Sequence, residues 1–134
     1  KTAVIEKESL GGICLNWGCI PTKALLKSAQ VYEDIKHAKD YGIEASGKPD
    51  FGAVVKRSRG VADKMSKGVQ FLMKKNKIDV IMGFGKLKGA GKLEVKAADG
   101  STQIVEAKHI ILAKQAGPSG PWSEYHRIWA RVSL

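Results

Sequence analysis

Gly11-Gly12-Ile13-Cys14-Leu15-Asn16-Trp17-Gly18-Cys19-Ile20-Pro21-Thr22-Lys23 is the stretch on which the reading of this chain turns. It holds both cysteines of the sequence, with four residues between them. Thiol–disulfide chemistry needs one thiol to become a thiolate, because the thiolate is the attacking species. The start of a helix favours that form through its partial positive charge and its free N–H groups. A helical pattern begins at about Cys14 and runs to Ala38, so both cysteines fall at a predicted helix start, about one slightly distorted turn apart. Gly18 permits that distortion and the approach of a flat partner, and Gly11-Gly12 lets the chain pass close to another group such as a phosphate.

Spacing alone leaves a second reading open, in which the two cysteines are small buried hydrophobes. Other roles fit less well. Two cysteines cannot build a disulfide-rich scaffold. Zinc takes about four ligands, and His37, His109 and His126 are scattered. A structural staple closing so short a loop stabilises by only about 2 kcal/mol in the chain-entropy model.

Outward from this stretch, residues 2–6 (Thr-Ala-Val-Ile-Glu) read as a short buried strand ending on an acidic residue. In the first helix, Ile20, Ala24, Leu25, Ala29 and Ile35 suit one buried side, and Pro21 fits only near a helix start. A second helix is expected over about Phe51 to Asn76, with Val54, Val61, Met65, Val69, Leu72 and Met73 as its buried stripe. Lys56, Arg57, Arg59, Lys64, Lys67, Lys74 and Lys75 form its opposite, solvated face. The period then changes. Residues 78–84 look like one strand, and 92–96 and 103–105 alternate about an Asp99-Gly100 turn. Residues 109–113 form a continuous apolar run, as expected of a strand buried on both faces. A strand, two helices and then several strands imply a mixed α/β domain.

The 134 residues carry Lys+Arg 23 against Asp+Glu 13, a formal net charge of +10. That balance suits polyanions, but the lysines are dispersed and not interleaved with aromatics, which argues for a solvated surface and against a nucleic-acid face. No apolar run approaches the roughly 20 residues of a membrane span, and the first six residues do not read as a signal peptide. The chain does not begin with Met, so a piece of a longer protein is expected.

Taken with its neighbours, Gly-Gly-x-Cys-Leu-Asn-x-Gly-Cys-Ile-Pro-x-Lys closely resembles the active-site segment of the pyridine nucleotide–disulfide oxidoreductases. Leu15, Ile20 and Thr22 look more like the dihydrolipoamide dehydrogenase branch than the glutathione or mercuric reductases, which tend to carry Val at the positions of Leu15 and Ile20. The resemblance covers roughly residues 1–113, and its specific part is 6–28. It implies a partial FAD/NAD(P)-binding Rossmann-like α/β domain, a parallel sheet with helices plus a small antiparallel β-meander. It further implies FAD as cofactor, NAD+ as co-substrate, and FAD-dependent oxidation of dihydrolipoamide.

By residue, the resemblance implies Cys14 as the interchange thiol and Cys19 as the charge-transfer thiol nearer the flavin. The flavin-binding set would be Glu6, Gly12, Ile13, Cys14, Lys23 and Gly85. Glu6, at the end of its strand, would accept the adenosine ribose hydroxyls. Gly12 and Ile13 would line the pyrophosphate path, although Ile13 replaces a frequent Thr and loses its hydroxyl. Lys23 would sit beside flavin N5. Gly83-Phe84-Gly85 would let backbone approach the adenine. Expected partners are dihydrolipoamide carried on acyltransferase or carrier proteins of 2-oxo acid dehydrogenase complexes, and a second subunit in the full-length protein. No nucleic acid or membrane is expected, and the location is expected to be cytoplasmic. The alternatives are a mercuric or glutathione reductase-type enzyme and a small basic binding module.

Parts of the family pattern are missing. The Gly-x-Gly-x-x-Gly phosphate loop and its strand are expected before residue 1, and the NAD and dimerisation domains after the flavin domain. No histidine here matches the family's acid/base histidine, so this chain alone is expected not to turn over lipoamide. After Ala113 the family continues Thr-Gly, whereas this chain reads Lys114-Gln115-Ala116. The codons AAA-CAG-GCN, read from the third base, give Thr-Gly, so residues 114–134 are expected to be a tail created by a frame slip.

Overall fold

A computed structural model describes residues 1–113 and, as backbone, residues 127–132. The chain divides into two compact units. One comprises Lys1–Leu10 with Val69–Leu134, and the other Gly11–Gly68.

The first unit contains a six-stranded mixed sheet in the order β2-β1-β6-β5-β4-β3. Its strands are β1 (Ala3–Glu6), β2 (Asp79–Met82), β3 (Phe84–Leu87), β4 (Lys92–Lys96), β5 (Thr102–Leu112) and β6 (Arg127–Val132). β1 pairs in parallel with β2, with Glu6 opposite Met82. It pairs antiparallel with β6 on its other side, so every residue of this short apolar strand is buried. β3, β4 and β5 form the antiparallel meander expected from the sequence.

Strand alternation sorts the side chains of β4 and β5. Leu93 and Val95 point inward with Val105 and Ala107, and they form a core with Ile5, against which Ile81 and Ile110 pack. The Asp99-Gly100 turn joins β4 to β5 as expected. The Ala97 N–H donates to Ser101 O at 2.9 Å, and Asp99 Oδ1 accepts both the Ser101 N–H and its hydroxyl. Those two bonds, the hydroxyl's first, hold the Asp99 carboxyl below the usual carboxylate range.

Two strand expectations are corrected. The run 78–84 is not one strand, because Gly83 breaks it between β2 and β3. A β-carbon at Gly83 would stand 2.7 Å from Lys96 O and 2.8 Å from a Val95 methyl, so only glycine lets the chain turn there. The run 109–113 is not a separate strand: its first four residues end the 11-residue β5, and they are not buried on both faces. Ile110 faces the core, whereas Ile111, on the opposite face by strand alternation, is 64% exposed. β6 places a strand in the tail where the sequence shows no period, while residues 114–126 and 133–134 lie outside the described residues.

The second unit carries α1 (Gly12–Asn16), α2 (Cys19–Lys36), a 3-10 turn over Ala38–Tyr41, and the larger part of α3 (Phe51–Lys75). Asp50 caps α3, its Oδ1 accepting the Ala53 N–H at 3.0 Å. The C-terminal end of α3 closes by a Schellman motif. Ile78 N–H donates to Met73 O and Lys77 N–H to Lys74 O, with Lys77 in the left-handed region at φ 53°. Ile78 therefore belongs to this cap and not to the strand. On α3, Ser58 and Ala62 are buried and Val54, Val61, Val69 and Met73 half-buried; Met65 and Leu72, expected in the buried stripe, are exposed. On α2, Pro21 and Ala24 are buried and Ile20, Leu25 and Ile35 half-buried, while Ala29 is exposed. Among the described residues, no helix is long and apolar enough to cross a membrane.

Candidate active site

The cysteine segment is two helices and not one. α1 ends at Asn16, Trp17 and Gly18 break the path, and α2 starts at Cys19. Three local causes act together. Trp17 N–H closes the last α1 turn on Ile13 O at 2.8 Å. Gly18 leaves helical geometry at φ −115°, ψ −113°. Pro21 has no N–H to give, which suits the first turn of a new helix and not the middle of a continuous one. The Thr22 N–H and hydroxyl both donate to Gly18 O, at 3.1 and 2.8 Å, and so start α2.

This break brings the cysteines together. Cys14 lies within α1 and Cys19 is the first residue of α2, with a disulfide between them and their Cα atoms 4.7 Å apart. A β-carbon on Gly18 would lie 3.0 Å from Cys14 Cα and 3.1 Å from Ile13 O, so the missing side chain is what allows the fold-back. Both cysteines are exposed, hence reachable by a dithiol. Cys19 occupies the positive end of an 18-residue helix, the position that favours a thiolate once the disulfide opens. Lys23 follows one turn later on the same helix face and is exposed. Gly12 opens α1 half-buried, and Ile13 is exposed.

Glu6 and Gly85 belong to the other unit. Glu6 is only 4% exposed at the carboxyl end of β1. Its Oε1 accepts the N–H groups of Glu8 at 3.0 Å and Ser9 at 3.3 Å, and its main-chain carbonyl accepts the Gly83 N–H at 2.9 Å. Gly85 is buried within β3 opposite Val95. Lys7 holds its ammonium 5.8 Å from the centre of the Phe84 ring.

Two arginines on the solvated face of α3, both exposed as expected, also reach across to the neighbouring helices. Arg57 donates to Ala24 O at 2.8 Å and to Ser28 Oγ at 3.3 Å on α2. Arg59 donates to Asn16 O at 2.9 Å, at the end of α1. No local period could reveal these contacts, because their acceptors are main-chain carbonyls 33 and 43 residues away.

Residues 1–121 match the profile of a family described as pyridine nucleotide-disulphide oxidoreductase. Among curated proteins, the dihydrolipoyl dehydrogenase of Rhizobium etli is 51% identical over 132 residues, covering 97% of this chain and 27% of its own length. That of Zymomonas mobilis is 49% identical over 118 residues, covering 87% of this chain and 25% of its own. The crystal structure of LpdA from Mycobacterium tuberculosis superposes with a TM-score of 0.73 at 24% identity, over 79% of this chain and 24% of that one, a likeness of fold. The chain thus spans about a quarter of the length of the relatives it matches.

Proposed function

From the premise that this chain belongs to the pyridine nucleotide-disulphide oxidoreductase family, we propose that it forms the flavin-side redox segment of a dihydrolipoyl dehydrogenase. The observation that carries this reading is the exposed Cys14–Cys19 disulfide, with Cys19 at the positive end of α2.

The exchange follows from that placement. A thiolate of the substrate dithiol attacks Cys14 Sγ; the Cys14–Cys19 bond breaks and the electron pair leaves on Cys19 Sγ. The second substrate sulfur then attacks the substrate sulfur of the mixed disulfide and releases Cys14 as a thiolate. The substrate is oxidised to a cyclic disulfide, and the enzyme pair holds two electrons. Cys19 is the better leaving group because the helix end stabilises its thiolate.

The residues present suit FAD. Glu6 is a buried carboxylate at the carboxyl end of a parallel strand, where dinucleotide folds place the acidic residue that holds the ribose. Gly12, Ile13, Cys14, Lys23 and Gly85 are the other residues proposed to hold the cofactor. FAD held there would supply the acceptor for the dithiol's electron pair and the hydride donor to NAD+. The proposed substrate is dihydrolipoamide on the acyltransferase or carrier proteins of 2-oxo acid dehydrogenase complexes. The proposed setting is a cytoplasmic homodimer in which further domains supply the NAD site and the acid/base histidine. On this reading the 134-residue chain does not itself turn over lipoamide. A frame slip after Ala113 remains our account of residues 114–134, and the coding DNA tests it.

Incubation with dihydrolipoamide, followed by alkylation and mass spectrometry, tests the central claim. Two alkylated cysteines are expected. A disulfide that stays closed to dihydrolipoamide while a phosphine opens it would refute the reading.

A further inference from the structure

We infer that Arg59, seconded by Arg57, is a positioning residue that braces the two arms of the redox segment, so that Cys14 and Cys19 stay in bonding range after the disulfide opens. This inference rests on the redox reading above. α1 has five residues, too few to be stable by itself. The last carbonyls of such a helix have no partners within it. Its own segment supplies some, as Asn16 Nδ2 donates to Gly12 O and Trp17 N–H to Ile13 O. The carbonyl of Asn16, the last residue before the break, receives Arg59 Nη1 from α3. Beyond the break, Arg57 from the same helix holds Ala24 O and Ser28 Oγ of α2.

α3 therefore grips both sides of the Trp17–Gly18 hinge, with two guanidinium groups set two residues apart. A disulfide restrains the hinge only while it exists. Once it is reduced, the sulfurs stay near each other to the extent that α1 and α2 are held. The brace acts at that stage, raising the effective concentration of one thiol at the other and with it the equilibrium constant for closing the disulfide. Arginine suits the task because its rigid, permanently charged fork loses little freedom per bond and its bonds to carbonyls are charge-assisted.

The test is redox equilibration of the whole chain with glutathione. Two glutathione thiols are oxidised to one glutathione disulfide as the Cys14–Cys19 bond opens to two thiols, and the closed fraction is read by alkylation and mass. Arg59→Ala is expected to lower the closing constant by about threefold to tenfold, the range for losing one solvent-exposed hydrogen bond. Arg57→Ala is expected to lower it less, since α2 has 18 residues and holds itself. Lys64→Ala, an exposed charge on the same helix, is expected to leave it unchanged.

Arg59→Lys keeps the charge and loses the fork, and is expected to fall between wild type and Arg59→Ala. It also serves if Arg59→Ala loses helix content by circular dichroism. A constant for Arg59→Ala within twofold of wild type at intact helix content would overturn the brace. So would an equal shift from Lys64→Ala, or full retention by Arg59→Lys, either of which would assign the effect to charge alone. A wild-type pair that dihydrolipoamide cannot open refutes the functional reading instead; normal cycling with indifferent arginine variants refutes only the brace.

Discussion

Gly18 sits against Cys14 so closely that a β-carbon would stand 3.0 Å from the Cys14 Cα. This contact joins the end of α1 to the start of α2 and sets the 4.7 Å Cα separation across the disulfide. Gly18→Ala is expected to push the two arms apart, slow disulfide closure several-fold after reduction, and destabilise the chain by roughly 1–3 kcal/mol, as overpacking does. Stopped-flow oxidation and urea unfolding read the two effects. An alanine variant that closes at the wild-type rate would show that the hinge tolerates a side chain.

The two sulfurs should trap differently. With Cys19→Ser, the Cys14 thiol has no resolving partner, so a disulfide-activated lipoyl probe is expected to remain attached to Cys14 as a stable adduct. With Cys14→Ser, Cys19 is expected to react more slowly, as the sulfur proposed to face the flavin. Mass spectrometry of the adducts decides between this order and the reverse.

Glu6 also holds its own turn, with Oε1 accepting the N–H groups of Glu8 and Ser9. Glu6→Ala would remove the acceptor of these two part-buried bonds and is expected to cost about 1–2 kcal/mol. Glu6→Gln keeps a carbonyl acceptor and should recover most of that loss. Equal denaturation midpoints for the two variants would show that the acceptor is not what matters.

Lys77 occupies a left-handed position at φ 53° that glycine adopts without cost. Lys77→Gly is expected to stabilise the chain by about 0.5–1 kcal/mol, after the unfolded-state entropy of glycine is set against the relief of strain. A lowered urea midpoint would mean that the lysine side chain contributes more than its backbone costs.

Leu93 is fully buried in the core of the first unit, with Ile5, Val95, Val105 and Ala107. Leu93→Ala is expected to cost about 2–5 kcal/mol through lost burial and the cavity left behind. Near-wild-type thermal unfolding would place the stabilising core elsewhere.

Periodicity was enough to find the strand at 2–6, the long helix that becomes α3, the alternation of β4 and the Asp99-Gly100 turn, because each depends on residues within about four positions of one another. The cysteine segment was legible for the same reason, since its glycines, its proline and both sulfurs lie within thirteen consecutive residues. What the local pattern did not contain was any contact between residues distant in the chain. The steric pressure of Lys96 and Val95 on Gly83 divides one apparent strand into β2 and β3. The end of β5 is apolar, yet exposed at Ile111, because hydrophobicity states what a side chain favours and not whether another surface covers it. Two arginines that the sequence assigns to solvent are exposed, yet they also donate to carbonyls on α1 and α2 that no local pattern reveals. By itself the sequence determined which chemistry the two cysteines can perform. Only the tertiary structure decided how they are held for it, because the partners of short helices and sharp turns come from other parts of the chain.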